Sequence, residues 1–276
     1  MARIDIHTHA FADKIASHAL ESIMSHMPEK YWTHFDGRLA TLVSQLKAHS
    51  FDHAVLCQIA TKPEHFAPIM AWSSAIRDGA FGEDAARMIF PLPSVHPTDP
   101  DYVSRLGEVA KAGFKGVKLH PYFQRFILDD PHVLDYFRAV RDAGLFVEVH
   151  DGFDIGFPFD DFCGPRRILN VIENVPGLRF MVTHFGGWLA WEEASRILIG
   201  QPIDIEISMA IGFCEPAKIK EMLLRHPEDR LYFGSDWPWS DYDVTLPFLE
   251  ECGLPPSRMA ALMGGNAARW LGLPTP

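Results

Sequence analysis

The chain has 276 residues, of which 47% are hydrophobic and 22% are charged, and its formal net charge at pH 7 is −11. This composition is ordinary for a globular protein, and the acidic balance argues against a nucleic-acid partner, which needs a basic face. No apolar run approaches the roughly 20 residues that a membrane span requires, which argues against membrane-spanning functions.

Short runs of apolar and β-branched residues recur along the chain and predict eight strands. The later runs are spaced by roughly 25–35 residues, which is the size of a βα repeat. In chain order they are RIDIHTH (3–9), HAVLCQI (53–59), MIFPLPSVHP (88–97), GVKLHPY (116–122), LFVEVHDG (145–152), LRFMVTHFGG (178–187), DIEISMAIG (204–212) and RLYFGSDWP (230–238).

Apolar residues at helical spacing occupy stretches between the runs, and Gly113 and Gly144 end two of these stretches. Strand–helix alternation repeated eight times predicts a parallel (β/α)8 TIM barrel, in one domain over residues 1–276. An open doubly wound sheet is disfavoured because no glycine-rich phosphate loop follows the first strand. The clearest helical stretches are 99–113, 129–144, 164–177 and 215–230.

Two regions exceed the minimal repeat. Residues 10–52 are long for one crossover, and we expect them to form a helical insertion beside the barrel mouth. Residues 153–164, FDIGFPFDDFCG, predict a phenylalanine-rich loop after the fifth strand.

Ionisable residues stand at the carboxyl ends of the predicted strands, and a barrel brings all those ends to one mouth. Alternate strand residues share a face, so Asp5, His7 and His9 are expected on one face pointing into the barrel. Neutral imidazoles and a carboxylate suit Zn²⁺ or a similar ion, which favours a metal site. The strand-end residues are His7, His9, Lys118, His120, His150, His184 and Asp236.

Six segments in order carry a family resemblance: IDIHTHAF, KGVKLHP, VEVHDG, VTHFGG, YFGSDWPW and GGNAARWLGL. The chain resembles the amidohydrolase superfamily, in particular the amidohydrolase 2 branch that includes the aminocarboxymuconate-semialdehyde decarboxylase-like proteins. The segments span nearly the whole chain. A lone HxH pair is a weak motif, whereas this ordered set is specific.

The resemblance implies a role for each matching residue. It makes His7, His9 and His150 metal ligands, and it makes Asp236 a ligand or the proton acceptor beside the activated water. His184 would hydrogen-bond that water or polarise the substrate. One Zn²⁺ is the expected cofactor, with another divalent metal or a second ion as the alternative.

Lys118 and His120 have several interpretations. Lys118 matches the strand of superfamily members whose carboxylated lysine bridges two metals, but it also suits substrate binding or an ion pair with the inward-pointing Glu148. His120 suits a substrate contact, a second metal or a structural role.

Aromatic residues crowd the predicted mouth and could form a pocket for a planar substrate. Arg125 and Arg166 could each receive a substrate carboxylate or lie on the surface. The pocket residues that we predict are Tyr122, Phe153, Trp188 and Trp237.

The leading functional hypothesis is a metal-dependent hydrolase that acts on an amide, lactone or ester of a small molecule. The second is a non-oxidative decarboxylase of a small unsaturated or aromatic acid, and the third is a metal-binding protein without catalysis. We expect a small-molecule substrate and no nucleic-acid or membrane partner, and the resemblance implies a homodimer.

The N-terminus enters the first predicted strand directly, without an apolar signal region, so we expect no signal peptide and a cytoplasmic protein. The cysteines form no CxxC pair, which favours reduced thiols. They are Cys57, Cys163, Cys214 and Cys252.

Overall fold

The computed structural model describes residues 2–28, 31 and 33–274. Within these residues eight parallel strands alternate with helices, and each strand falls inside one of the predicted runs. The strands are β1 (Ile4–Thr8), β2 (His53–Cys57), β3 (Ile89–Leu92), β4 (Gly116–Leu119), β5 (Phe146–Val149), β6 (Arg179–Val182), β7 (Asp204–Glu206) and β8 (Leu231–Tyr232).

The helices include all four of the clearest predicted stretches. None of the helices in the described part of the chain is long and apolar enough to cross a bilayer. They are α1 (Ala16–Met24), α2 (Leu39–Ala48), α3 (Phe66–Arg77), α4 (Glu83–Met88), α5 (Tyr102–Lys111), α6 (Pro121–Gln124), α7 (Pro131–Asp142), α8 (Pro165–Asn174), α9 (Trp191–Ile197), α10 (Pro216–Arg225), α11 (Tyr242–Glu251), α12 (Pro256–Ala260) and α13 (Asn266–Leu271).

Backbone hydrogen bonds close the strands into a barrel. The ladders run β1-β2-β3 and β4-β5-β6-β7-β8. The amide of Lys118 in β4 donates to the carbonyl of Pro93 after β3 at 2.9 Å, and the amide of Ile6 in β1 donates to the carbonyl of Phe233 after β8 at 2.9 Å. The two ladders therefore meet at both seams, and the predicted (β/α)8 barrel is confirmed.

The helix α7 shows why the outer layer forms. Proline at its first position needs no amide partner, and Gly144, with φ of +70°, follows the helix end in the left-handed conformation that glycine adopts freely. Its buried residues recur every three or four positions and pack against the strands in the larger apolar core. They are Val133, Leu134, Tyr136, Phe137 and Val140.

A β-bulge in β1 changes which of its residues point into the barrel. The pairing with β2 shifts between Asp5 and Thr8, so two residues of β1 oppose one of β2. Before the bulge, Asp5 points outward and accepts a hydrogen bond from the Tyr242 hydroxyl of α11 at 2.7 Å. After it, His7 points inward. The predicted shared face is therefore wrong for Asp5.

The long crossover between β1 and β2 divides into two parts. The helix α2 buries Leu39, Leu42 and Leu46 in the main core, as an ordinary barrel helix does. The helix α1 instead presents residues such as Ala19 and Ile23 to a cavity at the carboxyl ends of the strands.

A buried histidine next to α10 links the stability of the fold to pH. His226 donates through Nε2 to the Ile203 carbonyl at 2.9 Å and accepts at Nδ1 from the Gly200 amide at 3.3 Å. This pattern requires a neutral ring. Burial lowers the pKa of His226 to about 4.

We predict that His226 makes the protein less stable as pH falls from 6.5 toward 4. In that range the unfolded state binds a proton that the native ring does not, which costs up to about 3 kcal/mol at full effect. Urea unfolding of wild type and His226→Gln at several pH values checks this. The variant should show a shallower slope of unfolding free energy against pH, whereas exposed His132→Gln should keep the wild-type slope; equal slopes would contradict the prediction.

Candidate active site

A cavity of about 710 Å³ lies at the carboxyl ends of the strands. Most of the strand-end residues predicted from the sequence line it, together with many aliphatic and aromatic side chains. His184 is the exception, because it is fully buried and does not line the cavity. The lining residues from the predicted set are His7, His9, Lys118, His120, His150 and Asp236.

Three of the four predicted metal ligands converge at one point. Nε2 of His7 and Nε2 of His9 lie 3.1 Å apart. Oδ1 of Asp236 lies 3.4 Å from Nε2 of His7 and 3.3 Å from Nε2 of His9. His7 of β1, His9 just after β1 and Asp236 after β8 therefore present three ligand atoms to a common centre.

The hydrogen bonds of the two imidazoles leave lone pairs at that centre. Nδ1 of His9 lies 2.8 Å from the Cys57 carbonyl, which only accepts, so Nδ1 carries the proton. Nδ1 of His7 lies 3.1 Å from Oε1 of Glu206 and donates to it. Both Nε2 atoms are therefore lone-pair donors facing a carboxylate, which fits a divalent cation with a supported ligand shell.

Asp236 is held as a carboxylate in an unusual backbone conformation. Burial would raise its pKa, but the imidazole of His9 and the ammonium of Lys118 beside it outweigh burial and lower the pKa of Asp236 below its usual value. Its backbone φ is +60°, a left-handed value that costs a non-glycine residue energy. Its amide donates to the His7 carbonyl at 2.8 Å, which holds the carboxylate over the two rings.

Lys118 forms a buried ion pair next to this centre. Its Nζ lies 2.8 Å from Oε1 of Glu148, directly opposite on β5, and 3.0 Å from Nε2 of His7. Burial would lower the pKa of Lys118, but the Glu148 carboxylate outweighs it and raises the pKa to about 12. The expected ion pair is thus present. A protonated amine does not take up CO₂, which favours this role over a carboxylated lysine.

His150 belongs to a neighbouring group. Its ring stacks on that of His120 with centroids 4.0 Å apart, and Nε2 of His120 lies 3.4 Å from Oδ2 of Asp154. Ligand atoms of these three residues lie within 4.8 Å of one another. The structure therefore brings His7, His9 and Asp236 together and places His150 beside them, in a second cluster.

A chain of hydrogen bonds determines the tautomer of His150. The Ser208 hydroxyl donates to Glu206 at 2.8 Å, so it accepts from Nδ1 of His184, also at 2.8 Å. Nε2 of His184 then accepts from Nδ1 of His150 at 3.1 Å. This leaves Nε2 of His150 as a buried lone pair, without a hydrogen-bond partner in the described part of the chain, as a metal ligand requires.

His184 is buried beneath the cavity and hydrogen-bonds two residues that line it, His150 and Ser208. Its backbone φ is +55°, and its amide donates to Oε1 of Glu206 at 2.7 Å. Burial lowers the pKa of His184 to about 4, so its ring is neutral. His184 contacts His150 and Ser208, and the contact with water or substrate that the resemblance implies stays a prediction.

Of the predicted pocket aromatics, the cavity lining includes Trp188 but not the other three. The Tyr122 hydroxyl donates to the Asp160 carbonyl at 2.7 Å, Phe153 packs on Phe159, and Trp237 stacks on Phe35 in the core.

Neither predicted carboxylate-binding arginine lines the cavity. Arg125 is exposed, and Arg166 pairs with Glu193 at 2.9 Å.

The residues that the sequence predictions missed are supporting ones. Glu206 and Ser208 orient His7 and His184, and Asp154 joins His120. Strand alternation in DIEIS predicts the inward position of Glu206 but not its role as the partner of His7. Asp154 lies in the irregular loop after β5, where no periodicity indicates direction.

The amidohydrolase 2 family model, described as Amidohydrolase, matches residues 4–273. The chain belongs to this family. Its members are enzymes that include hydrolases and decarboxylases. A search of curated proteins finds no match.

Solved structures share the fold of this amidohydrolase over nearly its whole length. A probable 2-pyrone-4,6-dicarboxylic acid hydrolase from Acinetobacter baumannii has a TM-score of 0.69 and 17% identity, covering 99% of this chain and 100% of that one. An amidohydrolase from Burkholderia multivorans with bound zinc has a TM-score of 0.69 and 18% identity, covering 99% and 100%.

A 5-carboxyvanillate decarboxylase from Novosphingobium aromaticivorans, complexed with manganese, has a TM-score of 0.73 and 16% identity, covering 99% and 96%. At these identities the likeness shows the fold, while the reaction must be argued from the site.

We predict that removing one partner of the buried ion pair destabilises the protein strongly. Glu148→Gln leaves the Lys118 ammonium without its counter-charge and should cost about 3–5 kcal/mol of unfolding free energy. The double variant Lys118→Met/Glu148→Leu should lose less than the sum of its single variants, as urea unfolding measures. The exposed pair of Lys47 and Asp84 is the control, since Lys47→Met should cost under about 1 kcal/mol. Additive losses in the buried pair would contradict the prediction.

We also predict where a divalent cation binds. Calorimetric titration of chelator-treated protein with Zn²⁺ or Mn²⁺ should show high affinity in wild type. His9→Asn should weaken binding by more than about 100-fold, and Glu206→Gln, which acts through His7, by about 10- to 100-fold. His120→Asn should leave the affinity unchanged. The reverse pattern would place the cation in the second cluster.

Proposed function

We propose that this amidohydrolase hydrolyses an uncharged carbonyl compound, a lactone, ester or amide of a small molecule, using a divalent cation at His7, His9 and Asp236. One observation favours an uncharged substrate over a charged one. Among the described residues that line the cavity, Lys118 is the only lysine or arginine, and its ammonium is already paired with Glu148.

The remaining electrostatics of the cavity support the same choice. Burial lowers the pKa values of His120 and His150 well below the usual range, so these rings are neutral. Asp154 and Asp236 add carboxyl groups to the lining. Apart from the cation, a substrate carboxylate would therefore find no permanently positive group among the described lining residues except the paired Lys118, and an unpaired buried charge is costly.

The side chains of the site suit hydrolysis of a carbonyl compound. A divalent cation supplies Lewis acidity, which polarises a carbonyl group and makes a water molecule ionise near neutral pH. Asp236, kept ionised by its neighbours, would take the proton from that water and deliver it to the leaving group.

His184 would act through its neighbour as a positioning residue. By accepting from Nδ1 of His150, it keeps the lone pair of His150 Nε2 directed away from itself. Ser208 and Glu206 fix His184 in turn.

The test is a substrate panel on metal-loaded protein. Neutral γ- and δ-lactones, alkyl and aryl esters and amides are compared with aromatic and unsaturated carboxylic acids, following acid release and CO₂ release separately. We expect acid release from at least one neutral class. CO₂ release alone would favour the decarboxylase hypothesis, and metal retention without turnover on any class would favour a non-catalytic metal-binding protein.

We predict that Asp236→Asn lowers kcat by about 100- to 10,000-fold, because the amide cannot take up the proton. Asparagine tolerates the left-handed backbone, so the fold should persist, as circular dichroism and thermal unfolding will show. Metal content is measured in parallel, and Asp243→Asn, at an exposed carboxyl of α11, serves as the control. Wild-type turnover in Asp236→Asn would rule out the proton-transfer role.

A further inference from the structure

One side of the cavity is built from uncharged, mainly aliphatic side chains of the first two crossovers. These residues form what we call the apolar wall: Ile15, Ile23, Ile59, Ile69 and Trp72. They come from the residue before α1, from α1, from the segment after β2 and from α3. The wall lines the same cavity as His7, His9 and Asp236.

The charged residues of these segments are kept off the wall. Lys14, Glu21, Lys62 and Glu64 all lie in the segments that supply the wall, yet none of them lines the cavity. Within the described residues, the lining contributed by α1, α3 and the loop after β2 contains no aspartate, glutamate, lysine or arginine. This side of the cavity therefore offers no permanently charged partner, and His18 and His65 are its titratable side chains.

The cavity also leaves apolar surface open to solvent. Ile15 is 53% exposed, Phe213 is 38% exposed and Val244 is 58% exposed, and all three line the cavity. Exposed apolar side chains gathered at one concave surface mark a binding site rather than a contribution to folding. What they would bind is an apolar group that enters the cavity.

We propose that the substrate carries an uncharged linear alkyl chain that lies against the apolar wall while its carbonyl group reaches His7, His9 and Asp236. A chain of about four to eight carbons suits a cavity in the size range of small-molecule sites. The substrate class is then an alkyl-substituted lactone or a medium-chain ester. This inference rests on the proposed function for its carbonyl end, whereas the alkyl end rests on the wall alone.

Chain length gives a quantitative signature. Each methylene that leaves water for an apolar surface should strengthen binding by about fourfold until the wall is covered.

Binding is tested without catalysis, using metal-loaded protein and the homologous series from 2-pentanone to 2-nonanone in calorimetry. We expect the dissociation constant to fall by about fourfold per methylene. A dissociation constant independent of chain length overturns the proposal.

Variants of the apolar wall test whether the alkyl chain of the ligand lies against it. Ile69→Ala and Ile23→Ala should each reduce the ratio of 2-nonanone to 2-pentanone affinity by about fivefold or more, because they remove apolar contact with the chain. Val103→Ala, at a 62% exposed site on α5 outside the cavity, should leave the ratio unchanged. Equal ratios in wild type and both wall variants would overturn the placement.

The ester series separates this inference from the proposed function. Ethyl esters from butanoate to octanoate should show kcat/KM rising by about fourfold per methylene. If the ketones follow the chain-length rule but no ester or lactone is hydrolysed, the proposed function fails and the apolar wall is supported. If esters are hydrolysed at a rate independent of chain length, the proposed function is supported and the wall is overturned as a substrate site.

Discussion

Two buried carboxylates, Glu148 and Glu206, carry the interaction on which the site depends. Each lies fully inside the barrel, where an uncompensated charge would be costly, and each is compensated by a group that the site uses. Glu148 holds the ammonium of Lys118, and Glu206 accepts from the ring of His7 and the backbone of His184. Burial and the charge of Glu148 raise the pKa of Glu206 to about 8, and the hydrogen bonds from Ser208 and His184 oppose this rise.

This arrangement explains why the nitrogen atoms point where they do. The Nδ1 atoms of His7, His9 and His150 donate to Glu206, Cys57 and His184, which leaves the Nε2 lone pairs on the cavity side. The same network removes free positive charge, because the ammonium of Lys118 is bound and the buried imidazoles are neutral. The ligand geometry and the proposed preference for an uncharged substrate thus both rest on one hydrogen-bond network.

The barrel could be predicted from the sequence because its eight strands are runs of apolar residues. The site could be predicted because the strand ends of a barrel meet at one mouth. The prediction failed where local geometry departs from regular alternation. The bulge in β1 turned Asp5 outward, and Trp237, beyond the end of β8, entered the core instead of the pocket. His150 stacks on His120 and groups with it and Asp154, a contact between remote residues that no spacing in the chain reveals.

At Asp236 and His184 the left-handed backbone lowers the stability of the fold, yet both positions carry side chains that the site uses. Glycine would relax both positions by about 1–2 kcal/mol each, and it would erase the carboxylate and the imidazole. An engineer who selects only for heat resistance would be drawn toward replacing these two side chains. Thermostable versions of this enzyme are therefore better sought in the outer helices, where strain relief and catalysis do not compete for the same residue.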